Sequence, residues 1–163
     1  MVIAVSGVKN SGKTTLIEGV LPHLSAAGLR VAVVKHDGHS FQPEPPDTDT
    51  GRLLAAGAWG AAIFDGEKYK VVRREAVDEA ALIAQFPEAD LVLLEGFKGS
   101  GWPKIEVVRG AVSSAPVCDP ATLLALVTDL PLALPGVPAL PLGDAAGAAA
   151  VVLRYVKEVR EHG

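Results

Sequence analysis

Short apolar segments alternate along the chain with amphipathic ones, and polar or proline-rich stretches separate them. Five segments rich in Val, Leu and Ile and bounded by Gly or polar residues predict buried strands: 2–6, 30–35, 89–96, 104–110 and 123–129. The segment 61–66 ends at an Asp-Gly turn and is followed by 68–74, which together predict a β-hairpin.

Apolar residues at helical spacing predict four helices: 14–27, 52–57, 78–86 and a C-terminal helix that starts after residue 144. We expect Gly28 to end the first helix, and Pro22 inside it predicts a kink or an earlier end. Asp144 is the expected N-cap of the last helix. The proline-punctuated segment 131–143 predicts an extended connector. The segment 36–51 is too polar and too rich in proline for a regular element.

Between the first strand and the first helix lies the sequence GVKNSGKT, which fits the pattern G-x-x-x-x-G-K-[ST]. Glycines let such a loop curl so that successive N–H groups point at one anion, and the positive end of the following helix aims at the same point. Lys13 would add a full charge for the β- and γ-phosphates, and the Thr14 hydroxyl can bind Mg²⁺. We therefore expect nucleotide contacts from the loop residues Gly7, Asn10, Ser11, Gly12, Lys13, Thr14 and Thr15.

A carboxylate is expected beside the Mg²⁺ of such a site. Glu95 ends the most apolar predicted strand, and ligands collect at the carboxyl ends of strands in open α/β sheets. We assign Glu95 with Thr14 to the metal, against the alternative of a solvated glutamate. Asp37, after the second strand, is the competing carboxylate, and Asp37 with His36 are the candidate catalytic residues that would orient a water molecule.

Strands that alternate with helices around this loop predict an α/β protein with the P-loop NTPase three-layer fold. Its sheet should be mostly parallel, with helices on both faces, and mixed because of the hairpin. The 163 residues suit a single nucleotide-binding domain, 1–163. A net charge of −4 argues against a nucleic-acid-coating surface, and one cysteine excludes an internal disulfide. No apolar run is long enough for a membrane span, and we expect a cytoplasmic protein.

Guanine selectivity has weaker support in the sequence, because the [NT]-K-x-D motif is missing. Asp129, after a late strand, could accept hydrogen bonds from guanine, or could simply cap a turn. Beyond the second strand, His36 and His39 could face phosphate or water, hold zinc, or belong to an ordinary polar loop. The segment 40–51 is either a lid, with Arg52 as an anion contact, or disordered.

Two aromatic and two basic residues follow Glu95, namely Phe97, Lys98, Trp102 and Lys104. A pterin or guanine ring could stack there while the lysines contact phosphate. The alternative is a surface loop with Trp102 in a dimer contact.

Several segments together resemble the MobB family of molybdopterin-guanine dinucleotide biosynthesis adaptors: SGVKNSGKTTL, VVKHDGH, DTGRLLAAGA, VLLEGFK and PKIEVVRG. The resemblance implies a homodimer that binds GTP with Mg²⁺ and assists MobA, the nucleotidyltransferase that attaches GMP to the pterin. It implies at most slow GTP hydrolysis, and it makes molybdopterin a candidate ligand. The family's Lys-His pair matches Lys35 and His36, and we count Lys35 among the nucleotide contacts. Many relatives have two adjacent histidines where this chain has Gly38 before His39.

Two other functions compete with the adaptor. A P-loop small-molecule kinase would usually carry arginines on a lid over the phosphates, and the segment 38–51 contains none. A nucleotide-dependent metal-insertion factor would usually need a His- or Cys-rich acceptor, and this chain has four histidines and one cysteine.

Overall fold

The computed structural model describes residues 1–38, 41 and 44–162. The chain divides into two compact units, one made of Met1–His36 with the chain from Leu82 onward, the other of Asp37–Ala81. In chain order the elements are β1 (Val2–Ser6), α1 (Lys13–Ala26), β2 (Val31–Lys35), α2 (Asp49–Ala55), β3 (Gly60–Phe64), β4 (Tyr69–Arg73), α3 (Glu79–Ile83), β5 (Leu91–Glu95), β6 (Lys104–Val108), β7 (Leu123–Thr128), β8 (Ala139–Pro141) and α4 (Ala145–His162).

The first unit contains a six-stranded sheet in the order β2-β5-β1-β6-β7-β8. Every pairing in it is parallel, as expected for strands joined by crossover connections. The carboxyl ends of β1, β2 and β5 therefore meet at one edge of the sheet. β2 and β8 are the two outer strands of this sheet.

Alternate residues of the strands divide the core between the two faces of the sheet. On one face, Ile3, Leu93 and Val107 pack with buried residues of α1 and α4, including Leu24 and Val152. On the other face, a smaller cluster around Leu94 is covered by loop residues and by the last residues of α3. Helices thus contact both faces, but the second helix layer is thin. Among the described helices, none has the length and apolar character that crossing a membrane requires.

The second unit contains α2 and a two-stranded antiparallel sheet, β3-β4. Thr48 caps α2, with its hydroxyl oxygen accepting from the Gly51 N–H at 3.1 Å. Lys70 of β4 forms an ion pair with Glu44 at 2.9 Å. Pairing of Phe64 with Tyr69 and of Ala62 with Val71 puts these four side chains on one face of the hairpin, and all four are exposed.

The structure confirms the α/β architecture with a largely parallel sheet and corrects several details. The predicted hairpin forms, but as a separate sheet, so that the six-stranded sheet is parallel throughout and not mixed. Helix α1 does not end at Pro22 and continues to Ala26, followed by Gly28 at φ 82°. Asp144 does cap α4, by accepting from the Gly147 N–H at 2.8 Å. The prediction of a single domain over 1–163 stays a prediction beside the two compact units.

Candidate functional site: a P-loop at the carboxyl edge of the sheet

The loop between β1 and α1 curls because three of its residues have left-handed backbone conformations. Gly7, Asn10 and Gly12 have φ angles of 135°, 63° and 102°. A Cβ atom at Gly7 would lie 2.4 Å from the Val107 carbonyl oxygen of the neighbouring strand β6. Glycine is therefore required at position 7 both by backbone conformation and by space.

The curled loop leaves polar groups available around the N-terminus of α1. The first helical hydrogen bond runs from the Leu16 N–H to Gly12 O at 2.9 Å, so the amides of Lys13, Thr14 and Thr15 precede the helical ladder. Ser11 Oγ is buried and has no hydrogen-bond partner within the described part of the chain. A buried polar atom without a partner at this position fits a loop that binds a ligand.

Lys13 lies folded over the loop, where its ammonium donates to Val8 O at 2.7 Å. Partial burial lowers the pKa of Lys13, and the ammonium groups of Lys35 and Lys98 lower it further, while the Glu95 carboxylate acts in the opposite direction. Several positive charges therefore converge on the loop. This electrostatic arrangement suits a polyphosphate.

Thr14, Lys35 and Glu95 form a triangle beside the loop. The Thr14 hydroxyl donates to Glu95 Oε1 at 2.9 Å, and Lys35 Nζ lies 2.9 Å from the same oxygen and 3.4 Å from Thr14 Oγ1. The Glu95 side chain is only 9% exposed. Parallel pairing produces the arrangement, because Glu95 of β5 is in register with Lys35 of β2 on one side and with Val5 of β1 on the other.

The triangle contains the two oxygen donors that the sequence assigns to Mg²⁺. A hydroxyl and a carboxylate are hard ligands, and Mg²⁺ bound to nucleotide phosphates usually takes one or two protein oxygens. Adjacent Thr14 and Glu95 oxygens thus fit the ion. Among the described residues there is no group of three or more His, Cys, Asp or Glu that could hold a metal by itself. The zinc alternative for His36 therefore gains no support from the described residues, while His39 lies outside them.

The two candidate catalytic residues belong to different units. The His36 N–H donates to Glu95 O at 3.1 Å, and its ring lies against Phe97 with centroids 5.4 Å apart. His36 is thus attached to the strand end that carries Glu95. Asp37 is the first residue of the second unit. A water-orienting role for either residue stays a prediction.

Asp129 has a structural partner, as the turn-capping alternative expected. Its Oδ1 accepts from the Gly110 N–H at 2.6 Å, and the side chain is exposed at the carboxyl end of β7, two strands away from β1. Asp129 therefore lies at the same edge of the sheet as the P-loop. Its contact with guanine stays a prediction.

Sequence reasoning placed Lys104 wrongly and missed the role of Glu106. Lys104 is fully buried in β6, so it is not the surface phosphate contact that its neighbours in sequence suggested. Phe97 and Trp102 are half-buried and pack against the smaller core cluster. Glu106 is also fully buried, and its carboxylate accepts from the Val117 and Cys118 N–H groups at 2.6 and 3.2 Å.

Arg52 is exposed on α2 and lies 3.8 Å from Asp49. This ion pair is within the second unit, and the proposed anion contact of Arg52 stays a prediction.

The only sequence signal that could have identified the buried residues Lys104 and Glu106 is their alternation with Ile105 and Val107 in a strand. Alternation of that kind normally predicts a solvated face.

Comparisons with known proteins agree with this fold and this loop. The family model of MobB, molybdopterin guanine dinucleotide synthesis protein B, matches residues 2–129. A probable molybdopterin-guanine dinucleotide biosynthesis adapter protein of Bacillus subtilis is 38% identical over 111 residues, which are 66% of this chain and 64% of the relative. The corresponding adapter protein of Escherichia coli is 30% identical over 166 residues, covering 96% of this chain and 93% of the relative.

The same agreement holds for structure. The crystal structure of a MobB protein homolog from Bacillus stearothermophilus superimposes with a TM-score of 0.74 and 27% sequence identity, covering 96% of this chain and 98% of that one. The family model matches most of the chain, and the structural match extends over nearly all of it. The chain belongs to the MobB family.

Proposed function

We propose that this protein binds GTP with Mg²⁺ at the P-loop and assists a MobA-type nucleotidyltransferase in forming molybdopterin guanine dinucleotide. Membership of the MobB family supports the pathway. The single observation that supports the nucleotide site is the contact of Thr14 with Glu95 beside the curled loop that carries Lys13. An adaptor that presents or stabilises nucleotide for a partner enzyme would use this arrangement without fast chemistry of its own.

The residues of the site have separate parts in this proposal. The loop amides and Lys13 bind the phosphates, and Lys13 leaves Val8 O to do so. Thr14 and Glu95 would hold Mg²⁺, which would neutralise charge on the β- and γ-phosphates. Lys35, which contacts both oxygen donors, then turns from Glu95 towards the phosphates. His36 and Asp37 would orient water for slow hydrolysis, and Asp129 would accept from guanine.

Calorimetry with GTP and ATP, each with and without Mg²⁺, tests the nucleotide part of the proposal. We expect tighter binding of GTP and loss of binding in Lys13→Ala. Lys157→Ala is a matched control, because Lys157 is an exposed lysine near the C-terminal end of α4. Equal or tighter ATP binding would contradict the guanine assignment, and normal binding by Lys13→Ala would place the site elsewhere.

A reconstituted assay tests the adaptor part. Purified MobA-type enzyme is given GTP and molybdenum-bearing pterin, and product formation is measured with and without this protein. We expect stimulation by wild-type protein and none by Lys13→Ala. Without a partner, GTP turnover should stay well below about one per second, the lower end of rates typical of dedicated enzymes. Faster turnover would argue against an accessory role.

We also propose that the protein is a homodimer and that the hairpin β3-β4 forms the contact. One face of this hairpin presents Ala62, Phe64, Tyr69 and Val71, and Phe64 and Tyr69 are 82% and 78% exposed. A two-stranded hairpin is marginally stable in water unless it is packed against something. A second copy of the same apolar face would cover it symmetrically.

Molybdopterin binding by this protein and its cytoplasmic location stay predictions.

A further inference from the structure

The loop that follows β5 leaves the nucleotide site through two consecutive residues in left-handed conformations. Gly96 has φ 106° and Phe97 has φ 51°. A left-handed phenylalanine is unfavourable and persists only when its surroundings hold it. Here the side chain of Phe97 packs on the smaller core cluster and against the His36 ring. The packing of Phe97 therefore fixes the conformation of the turn after Glu95.

Hydrogen bonds fix both ends of the short loop 96–100. At its start, Ser6 Oγ donates to Gly96 O at 2.5 Å. At its end, the Ser100 N–H and hydroxyl both donate to Phe97 O, at 3.0 and 2.8 Å. Lys104 Nζ donates to Ser100 O at 2.5 Å. Lys98 and Gly99 are the exposed tip between these anchored positions.

Lys104 is an unusual anchor because its side chain is fully buried. Burying an ammonium group is costly unless its hydrogen bonds are satisfied, so its contact with Ser100 O has to be maintained. Glu106, two residues further along β6 on the same face, is directed to the other loop, at Val117 and Cys118. The hydrogen bond of Lys104 thus goes to the loop 96–100, whereas those of Glu106 come from the loop at Val117 and Cys118.

The anchored loop brings a third ammonium group towards the P-loop. Lys98 is two residues after Gly96, whose carbonyl is bonded to Ser6, the residue directly before the P-loop. In keeping with this position, the Lys98 ammonium helps to lower the pKa of Lys13, as Lys35 does. Among the described residues, the carboxylate that acts on Lys13 against these positive charges is Glu95. In the described part of the chain, Lys98 has no carboxylate within ion-pair distance. A nucleotide with a terminal phosphate would supply the missing negative charge.

We propose that Lys98 is a cationic contact for the terminal phosphate of the bound nucleotide, and that buried Lys104 is the positioning residue that holds Lys98 there. The proposal rests on the phosphate site of the proposed function and deepens it. Lys98 then distinguishes a triphosphate from a diphosphate. Lys104 never touches the ligand and acts through the loop that it fixes.

The test compares the affinities for GTP and GDP of wild type, Lys98→Ala, Lys104→Met and the double variant, by calorimetry. Lys98→Ala should weaken GTP about tenfold and GDP less than about threefold, because a charged contact to the terminal phosphate is lost. Lys104→Met should lower the GTP-to-GDP affinity ratio in the same direction. In the Lys98→Ala background it should lower the ratio no further, because its effect passes through Lys98.

Three controls make the outcome decisive. Lys157→Ala should leave both affinities unchanged. Ser6→Ala loosens the start of the loop and should lower the ratio below the wild-type value but less than Lys98→Ala does, which covers the case that Lys104→Met does not fold. Tripolyphosphate and pyrophosphate replace the nucleotides as probes without a base. Tighter tripolyphosphate binding that depends on Lys98 would support the proposal even if guanine selectivity fails.

Three results would overturn the proposal. If Lys98→Ala weakens GTP and GDP equally, Lys98 is not a terminal-phosphate contact. If Lys104→Met lowers thermal stability but keeps the wild-type GTP-to-GDP ratio, Lys104 is only structural. If wild type binds none of the four probes, the phosphate site of the proposed function itself is wrong, and the role of Lys98 falls with it.

Discussion

Replacing Glu95 by glutamine removes one negative charge from the centre of the site while keeping the shape of the side chain. In the structure this carboxylate accepts from Thr14 and pairs with Lys35, both at 2.9 Å. The amide oxygen of the Glu95→Gln variant can still accept from the Thr14 hydroxyl, so the local geometry should survive. The substitution therefore separates the charge of the carboxylate from its hydrogen bond.

The expected loss of metal binding can be worked from Coulomb's law. Even at about 4 Å and at the dielectric constant of water, a divalent ion gains about 2 kcal/mol from a carboxylate, and it gains more at the shorter distance of a direct ligand in a largely buried site. Glu95→Gln should thus weaken the effect of Mg²⁺ on GTP binding by about thirtyfold or more. The lost ion pair itself should cost at most about 1 kcal/mol of stability, because the Lys35 side chain is 55% exposed.

The effect of Glu95→Gln on the affinity for GTP should change sign when the metal is removed. In EDTA, Glu95→Gln removes a negative charge from beside the phosphates and should bind GTP as tightly as wild type or more tightly. With saturating Mg²⁺ it should bind more weakly than wild type. Calorimetry in both buffers measures the two affinities, and a melting curve shows that the variant is folded. An unchanged Mg²⁺ effect in the variant would refute the assignment of Glu95 to the metal.

Burial, with the Glu106 carboxylate nearby, raises the pKa of the Cys118 thiol to about 12. A thiol reagent at about pH 8, below the ordinary thiol pKa, should therefore label Cys118 only as fast as the protein unfolds. Rapid labelling of the folded protein would contradict this burial. Because the folded state keeps that proton above the ordinary thiol pKa of 9.0, stability should fall as the pH rises from there towards about 12, and less steeply in Cys118→Ala, as measured by denaturant unfolding. Phe64→Asp on the exposed hairpin face should shift the protein from dimer to monomer in light scattering without loss of GTP binding, and a persistent dimer would exclude this face. Gly7→Ala puts a Cβ atom 2.4 Å from Val107 O and should abolish phosphate binding, whereas Gly101→Ala, with open space around it, should bind normally.

The strands and the loop could be predicted from sequence because their signals are local. Five β-branched or leucine-rich segments became the strands β1, β2, β5, β6 and β7, and the glycine spacing located the P-loop. The sixth strand, β8, was missed because Pro138 precedes it, Pro141 is its last residue, and its pairing comes only from β7. Helix α2 starts earlier than predicted, because Thr48 caps it inside a segment whose composition is typical of a loop.

A site residue could be predicted from the sequence where its position depends only on the strand next to it in the chain. Glu95 and Thr14 meet as expected, because the carboxyl ends of parallel strands collect at one edge. The contact of Lys35 with both depends on β2 being the neighbour of β5, and strand order is a long-range property. Lys104 could not be placed, because lysine in a strand ordinarily indicates a solvated face, and only the tertiary structure buries it.

The two outer strands of the sheet differ in what they offer to an incoming chain. β8 is only three residues long and ends at Pro141, which carries no N–H, so the β8 side is poor in donors for another ladder of hydrogen bonds. The β2 strand contains no proline and has one exposed valine, Val33. Lateral growth of the sheet, whether by a partner's peptide or by misassembly, is therefore directed away from β8 by the sequence itself.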